Sequence, residues 1–129
     1  MHYIYESLFV GVYSCILYLL VPISDPRIAL FVIGFLKHYL GNWLGIQDYY
    51  CNNGYSCKSQ RPSKYTVTQS ALVLESVAEG VLFLILGTAL LMLNKNMIVT
   101  YFLIGMIMHL LFEFSGAHQK ICAYRCKRP

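Results

Sequence analysis

The chain contains two copies of one pattern. Ile33-Gly34-Phe35-Leu36-Lys37-His38, continuing through Gly45 to Cys51, recurs 71 residues later as Ile104-Gly105-Met106-Ile107-Met108-His109, continuing through Gly116 to Cys122. Gly34 thus matches Gly105, His38 matches His109, Gly45 matches Gly116 and Cys51 matches Cys122. Upstream, Glu6-Ser7 with Gly11 recurs as Glu75-Ser76 with Gly80 at an offset of 69, a length difference of two residues. Self-similarity of this kind marks a duplicated supersecondary unit. It restricts the chain to folds that divide into two like halves, and by itself it names no activity.

The material between these landmarks decides the class. Of 129 residues 57% are apolar and only 12% charged, and the apolar residues fall in long blocks, far more than one soluble core of this size needs. Such blocks are the mark of a chain that lives in lipid. Spans are expected at about residues 4–23, ended by Pro22, then 27–46, 69–93 and 96–117, with tight turns at Ser24-Asp25-Pro26 and Asn94-Lys95-Asn96. Short connections make antiparallel neighbours. The expectation is an all-α integral membrane four-helix bundle, one domain over 1–129, made of two repeated transmembrane helical hairpins. Unit one covers about 4–57, unit two about 69–126, and a polar loop 47–68 lies between them. Met1 to Ser7 lacks the positive n-region of a secretory signal, and no small-residue cleavage site follows, so the first span is expected to stay.

Four spans put both termini and the long loop on one face. Lys58, Arg61, Lys64, Lys120, Arg125, Lys127 and Arg128 lie there, against Arg27 and Lys95 at the turns, so basic bias makes the terminal face cytosolic. The net charge of +4 is explained by this placement at span edges; no basic stripe or nucleic-acid module accompanies it.

The spans enclose Glu6, Lys37, His38, Glu75, Glu79, His109 and Glu113, and ionisable groups in hydrocarbon demand partners. At ~1.5 Å per residue from the turn face, the two histidines sit roughly 17 to 18 Å up, Glu79 roughly 21 Å, and Glu6, Glu113 and Glu75 roughly 24 to 27 Å. The lower half is plain hydrocarbon, which argues against a continuous ion path and hence against a channel or transporter. Lys37, on another face from His38, is expected to snorkel or to pair with an acidic residue of the third span.

Three readings compete for the matched histidines. In the first, each donates to a carboxylate, Glu6 or Glu113 on one side and Glu75 or Glu79 on the other, and fixes which helices are neighbours. In the second, His38 and His109 are axial ligands of a b-type haem, with Gly34 and Gly105 one turn away letting a porphyrin approach the backbone. Helix contact would use the same glycines equally well, and Gly41-x-x-x-Gly45 is itself a small-residue packing pattern. The third is a transition-metal site from His38, His109, Glu79 and Glu113, which lacks the carboxylate–histidine pairs at three-residue spacing that di-metal bundles use. The first reading is preferred, with no cofactor and no metal.

Cys15 lies alone in the first span as an apolar filler. Cys51 with Cys57 and Cys122 with Cys126 share the terminal face; Asn53-Gly54 would let the first pair close a hairpin, and the second pair lies one helical turn apart. Three pairings exist, and spacing does not choose among them. A four-cysteine zinc site fits one of the two spacings only. Disulfides on a cytosolic face conflict with a reducing compartment. The Tyr-, Lys- and Arg-rich loop and tail read as an interfacial belt, or as a docking surface for a partner or anionic lipid.

With Gly34-Phe35-Leu36-Lys37-His38-Tyr39-Leu40-Gly41 leading to Asp48-Tyr49-Tyr50-Cys51, the chain resembles small multi-span membrane proteins of large DNA viruses. That resemblance implies a structural role in a virion inner membrane, joining lipid to capsid proteins, and a virus-encoded thiol oxidant that would relieve the cysteine conflict. No nucleophile–base pair, Gly-rich phosphate loop or Cys-x-x-Cys stands in the chain, so a non-enzymatic subunit of a membrane-bound assembly is expected.

Overall fold

Asp25-Pro26 shows how the sequence writes its helix boundaries. Pro26 takes the first helical position, where no N–H is needed, and Asp25 Oδ1 accepts from Arg27 N at 2.9 Å and Ile28 N at 3.2 Å. Thr68 and Asn96 cap later helices in the same way, through Ala71 N and Val99 N, both at 3.2 Å. The structure, a computed structural model, describes residues 2–57 and 63–127. Lys58, Arg61 and Arg128 lie outside the described residues.

The chain is mainly helical: α1 (Tyr3–Leu20), α2 (Pro26–Trp43), α3 (Ile46–Asn53), a 3-10 turn (Tyr55–Cys57), β1 (Lys64–Tyr65), α4 (Gln69–Leu93), α5 (Met97–Phe114), α6 (Ala117–Tyr124) and β2 (Cys126–Lys127). Among the described residues α1, α4 and α5 are each long and apolar enough to cross a membrane, and a fourth span results if the bent α2–α3 pair is one. The first helix ends at Leu20, short of the expected 23, because a residue before proline is pushed out of the helical region: Val21 sits at φ −108°, ψ 102°.

The second span also stops early. Gly45 adopts φ 80° and α3 leaves α2 at 71°; at the matched position Gly116 adopts φ 84° and ends α5 before α6. Only glycine takes this left-handed conformation cheaply, so Gly45 serves a turn and not the helix packing expected of Gly41-x-x-x-Gly45. Gly41 faces the Gln47 side chain of α3. Within what reads in sequence as the polar loop 47–68 and a tail, the described residues form α3, the 3-10 turn, β1, α6 and β2, which lie together at one end of the long helices. β1 pairs antiparallel with β2, Lys64 opposite Lys127 and Tyr65 opposite Cys126.

Helices adjacent in sequence are not the closest neighbours. The tight pairs are α1 with α5 and α2 with α4. Glycines set these crossings: a Cβ on Gly11 would fall 2.9 Å from Phe102 O and one on Gly105 2.7 Å from Val10 O, while Gly80 meets Phe31 O at 2.8 Å and Gly34 meets Glu79 O at 2.9 Å. The short turns constrain α1–α2 and α4–α5 to run antiparallel, but these pairs touch less extensively than the two tight pairs. Leu17, Ala29, Leu30, Ile33, Phe83, Tyr101, Ile104 and Met108 fill the interior toward the turn end. Outward-facing Val12, Ile16, Leu19, Leu74, Val81, Ile85, Met92 and Leu111 are exposed.

Candidate functional site

The ionisable residues of the long helices converge where the caps α3 and α6 cross their ends. Glu6 stands one turn into α1 and Glu75 nearly two turns into α4, and His38 and His109 approach them from α2 and α5. His109 Nε2 donates to Glu6 Oε1 at 3.1 Å, with both side chains buried. His38 Nδ1 donates to Glu79 Oε2 at 2.8 Å, and its Nε2, buried without a hydrogen-bond partner among the described residues, is 3.8 Å from Glu75 Oε2. Lys37 ion-pairs with Glu79, the alternative to snorkelling that the sequence left open. Each histidine thus meets one of the carboxylates expected for it, across the α1–α5 and α2–α4 contacts.

Glu113 does not join His109 as a partner; it is held by the caps. Ser56 Oγ donates to its Oε1 at 2.5 Å, Tyr50 OH to its Oε2 at 3.4 Å, and His118 Nδ1 to the same Oε2 at 2.6 Å. Glu75 accepts from Tyr65 OH at 3.1 Å and from Arg125 Nε at 3.2 Å, and Glu6 Oε2 accepts from Tyr55 N at 2.8 Å. Cap and helices are therefore stitched together by carboxylates. Burial, and secondarily His109, keeps the His118 imidazole below its ordinary pKa, so the ring is neutral when it donates to Glu113. Burial and then the Glu75 charge raise the Tyr65 phenol above its ordinary value.

Of the three cysteine pairings, two cross units twice, and the structure has one of these: Cys51 with Cys126 and Cys57 with Cys122, at Cα separations of 5.5 and 5.3 Å. The pairs within Cys51–Cys57 and Cys122–Cys126 do not form, because β1–β2 pairing and the packing of α6 on the 3-10 turn bring each cysteine to the other unit. The four sulfurs are buried in their own small core with Tyr65. Cys15 is free, its Sγ 3.3 Å from Ile98 O.

Between the two tight helix pairs, under the caps, lies a cavity of about 650 Å³. Its polar wall includes Lys37, His38, Gln47, Glu79, His109 and His118, and its apolar wall Phe9, Leu82 and Phe112. The faces of Gly34 and Gly105 do not open into it; the opposing helix fills them. Lys64, Lys120 and Lys127 are exposed on the cap, whereas Arg125 turns in to Glu75.

Sequence reading passed over His118, Tyr50, Ser56 and Tyr65. A helix break separates His118 from Glu113, so no helical spacing links them; the matched Gly45 and Gly116 are the signal that a second short helix folds back. Comparison with protein-family models, curated proteins and solved structures finds no match to this chain.

Proposed function

We infer that the chain is an integral membrane protein, a four-helix bundle of two repeated hairpins, and that it serves as a non-enzymatic structural subunit of a membrane-bound assembly. One observation carries this reading. The long helices expose apolar side chains outward, while their ionisable groups turn inward and are paired beneath a disulfide-clamped cap. An apolar exterior of this extent is stable in lipid and not in water. Interior pairing of Glu, His and Lys selects helix neighbours. The cap, with Lys64, Lys120 and Lys127 outward, is the face offered to lipid headgroups and to neighbouring subunits.

The basic residues favour a cytosolic cap, and on the resemblance to viral membrane proteins the neighbours are capsid proteins over a virion inner membrane, with a dedicated oxidant closing the disulfides. Lysine-directed crosslinking of native membranes with mass spectrometry tests the reading. It predicts that the chain resists carbonate extraction and that Lys64, Lys120 and Lys127 link in constant ratio to one or two shell components. Extraction by carbonate, or an isolated chain with no stoichiometric neighbour, contradicts it.

A second reading keeps His38 and His109 as ligands of a b-type haem, because both rings line the same cavity. Each ring is, however, already held by a carboxylate. A Soret band in protein purified from its native membrane would replace the structural reading with this one.

A further inference from the structure

The second unit differs from the first at one cluster whose chemistry the structural reading does not use. His109 and Glu113 stand four residues apart on α5 and share a face. Past the left-handed Gly116, His118 in the first turn of α6 folds back so that its Nδ1 lies 2.6 Å from Glu113 Oε2, and its ring centroid lies 4.5 Å from that of His109. One ligand atom from each of the three lies within 4.8 Å of the others, and all three side chains are buried. Glu6 Oε1 is 3.1 Å from His109 Nε2, and Ser56 Oγ is 2.5 Å from Glu113 Oε1.

The matched positions of the first unit read differently. Where unit two has His109, Glu113 and His118, unit one has His38, Asn42 and Gln47. Gln47 uses its amide locally, Nε2 donating to His38 O at 3.0 Å. The same backbone framework, two like helices each broken by a left-handed glycine, thus carries amides on one side and two imidazoles with a carboxylate on the other. Among the described residues Gln47 Oε1 is buried without a hydrogen-bond partner, so the framework folds with this corner only partly satisfied and does not itself require the His-Glu-His set. Two imidazole nitrogens and one carboxylate oxygen within this spacing are the donor set of a borderline divalent transition metal.

We propose that His109, Glu113 and His118 form a binding site for one divalent first-row transition-metal ion, of which Zn2+ is the reference, at the junction of α5 and α6. The ion takes the place of the proton between His118 Nδ1 and Glu113 Oε2; the neutral ring keeps that proton on Nε2 and ligates through Nδ1, so coordination joins cap to helix without net proton release. Ser56 on the second carboxylate oxygen and Glu6 on His109 are the outer partners that orient such ligands. His109 and His118 also line the cavity, which leaves a coordination position open to solvent or a small ligand.

The test uses full-length protein in detergent, chelator-treated, with disulfides intact. Titration with Co2+ should give one equivalent of bound ion with visible d–d bands, displaced by Zn2+. X-ray absorption of the Zn2+ form should show nitrogen and oxygen scatterers at ~2.0–2.1 Å, with imidazole outer-shell features and no sulfur. The double variant Glu113→Asn, His118→Gln installs the residues that unit one already accommodates, and should weaken Co2+ binding by about 100-fold or more. Absence of stoichiometric uptake by the folded parent, sulfur in the coordination shell, or unchanged affinity in the double variant overturns the proposal. Should the double variant fail to fold, the absorption spectrum of the parent decides.

Discussion

Glu79 and Lys37 offer the sharpest energetic test, because the chain carries its own control. They form a buried ion pair between α4 and α2, with side chains 7% and 15% exposed. Their matched positions, at the offsets of 69 and 71, are Val10 and Met108. One half of the molecule thus uses an ion pair where the other uses two apolar side chains. Glu79→Val alone leaves Lys37 cationic in an apolar interior and removes the first carboxylate from His38, so it should destabilise by about 3–5 kcal/mol. Adding Lys37→Met removes the stranded charge. Glu75, 3.8 Å from His38 Nε2, can then serve His38 as Glu6 serves His109. The double variant should lie within about 1 kcal/mol of the parent, since apolar replacement of a whole buried pair is often neutral. A double-mutant cycle from reversible unfolding in mixed micelles reads both quantities. A single variant costing under about 1 kcal/mol, or a double variant no more stable than the single, refutes the assignment of Glu79 as the counter-charge of Lys37.

Other outcomes follow from the same geometry. Replacing Cys57 and Cys122 by serine leaves Cys51–Cys126 closed, so the link removed closes an effective loop of only about ten residues, and the loop-closure argument puts the loss at about 3 kcal/mol, measurable by thermal unfolding without reductant. Gly105→Val would push a side chain into Val10 O and Gly11 Cα, and should part α1 from α5 at a cost of about 1–3 kcal/mol; an unchanged unfolding midpoint would deny that this is a close helix crossing. Because the fold raises the Tyr65 pKa above 10.0, the buried phenol's contribution is complete below that pH and is lost as pH rises through the folded value. Tyr65→Phe should therefore flatten the alkaline fall in stability, and an identical alkaline profile in the variant would contradict the bond to Glu75.

The long helices were legible because their apolar blocks end at strong punctuation: Pro22, Asp25-Pro26 and Asn94-Lys95-Asn96 speak through local backbone chemistry. The pairing of His38 and His109 with carboxylates was legible too, since each charged group in an apolar span has few partners at its depth. The caps were not. Cys51 and Tyr65 sit in short segments of mixed polarity, where periodicity has too few residues to declare itself, and a Gly45 that ends a helix looks the same in sequence as one that packs. Cysteine connectivity and the place of His118 depend on how α3 and α6 fold back over the ends of the long helices, which is a matter of tertiary contact and not of spacing. The cavity is a product of the same fold-back, so no local signal announces it.

The two matched units are locked together at one end by two disulfides. Mass-spectrometric mapping of non-reduced peptides from carbonate-washed membranes examines that lock directly. It should recover Cys51 linked to Cys126 and Cys57 linked to Cys122, with Cys15 free to alkylation. Recovery of Cys51 joined to Cys57 and Cys122 joined to Cys126, or of four reactive thiols, would separate the units and contradict the arrangement from which every role above is argued.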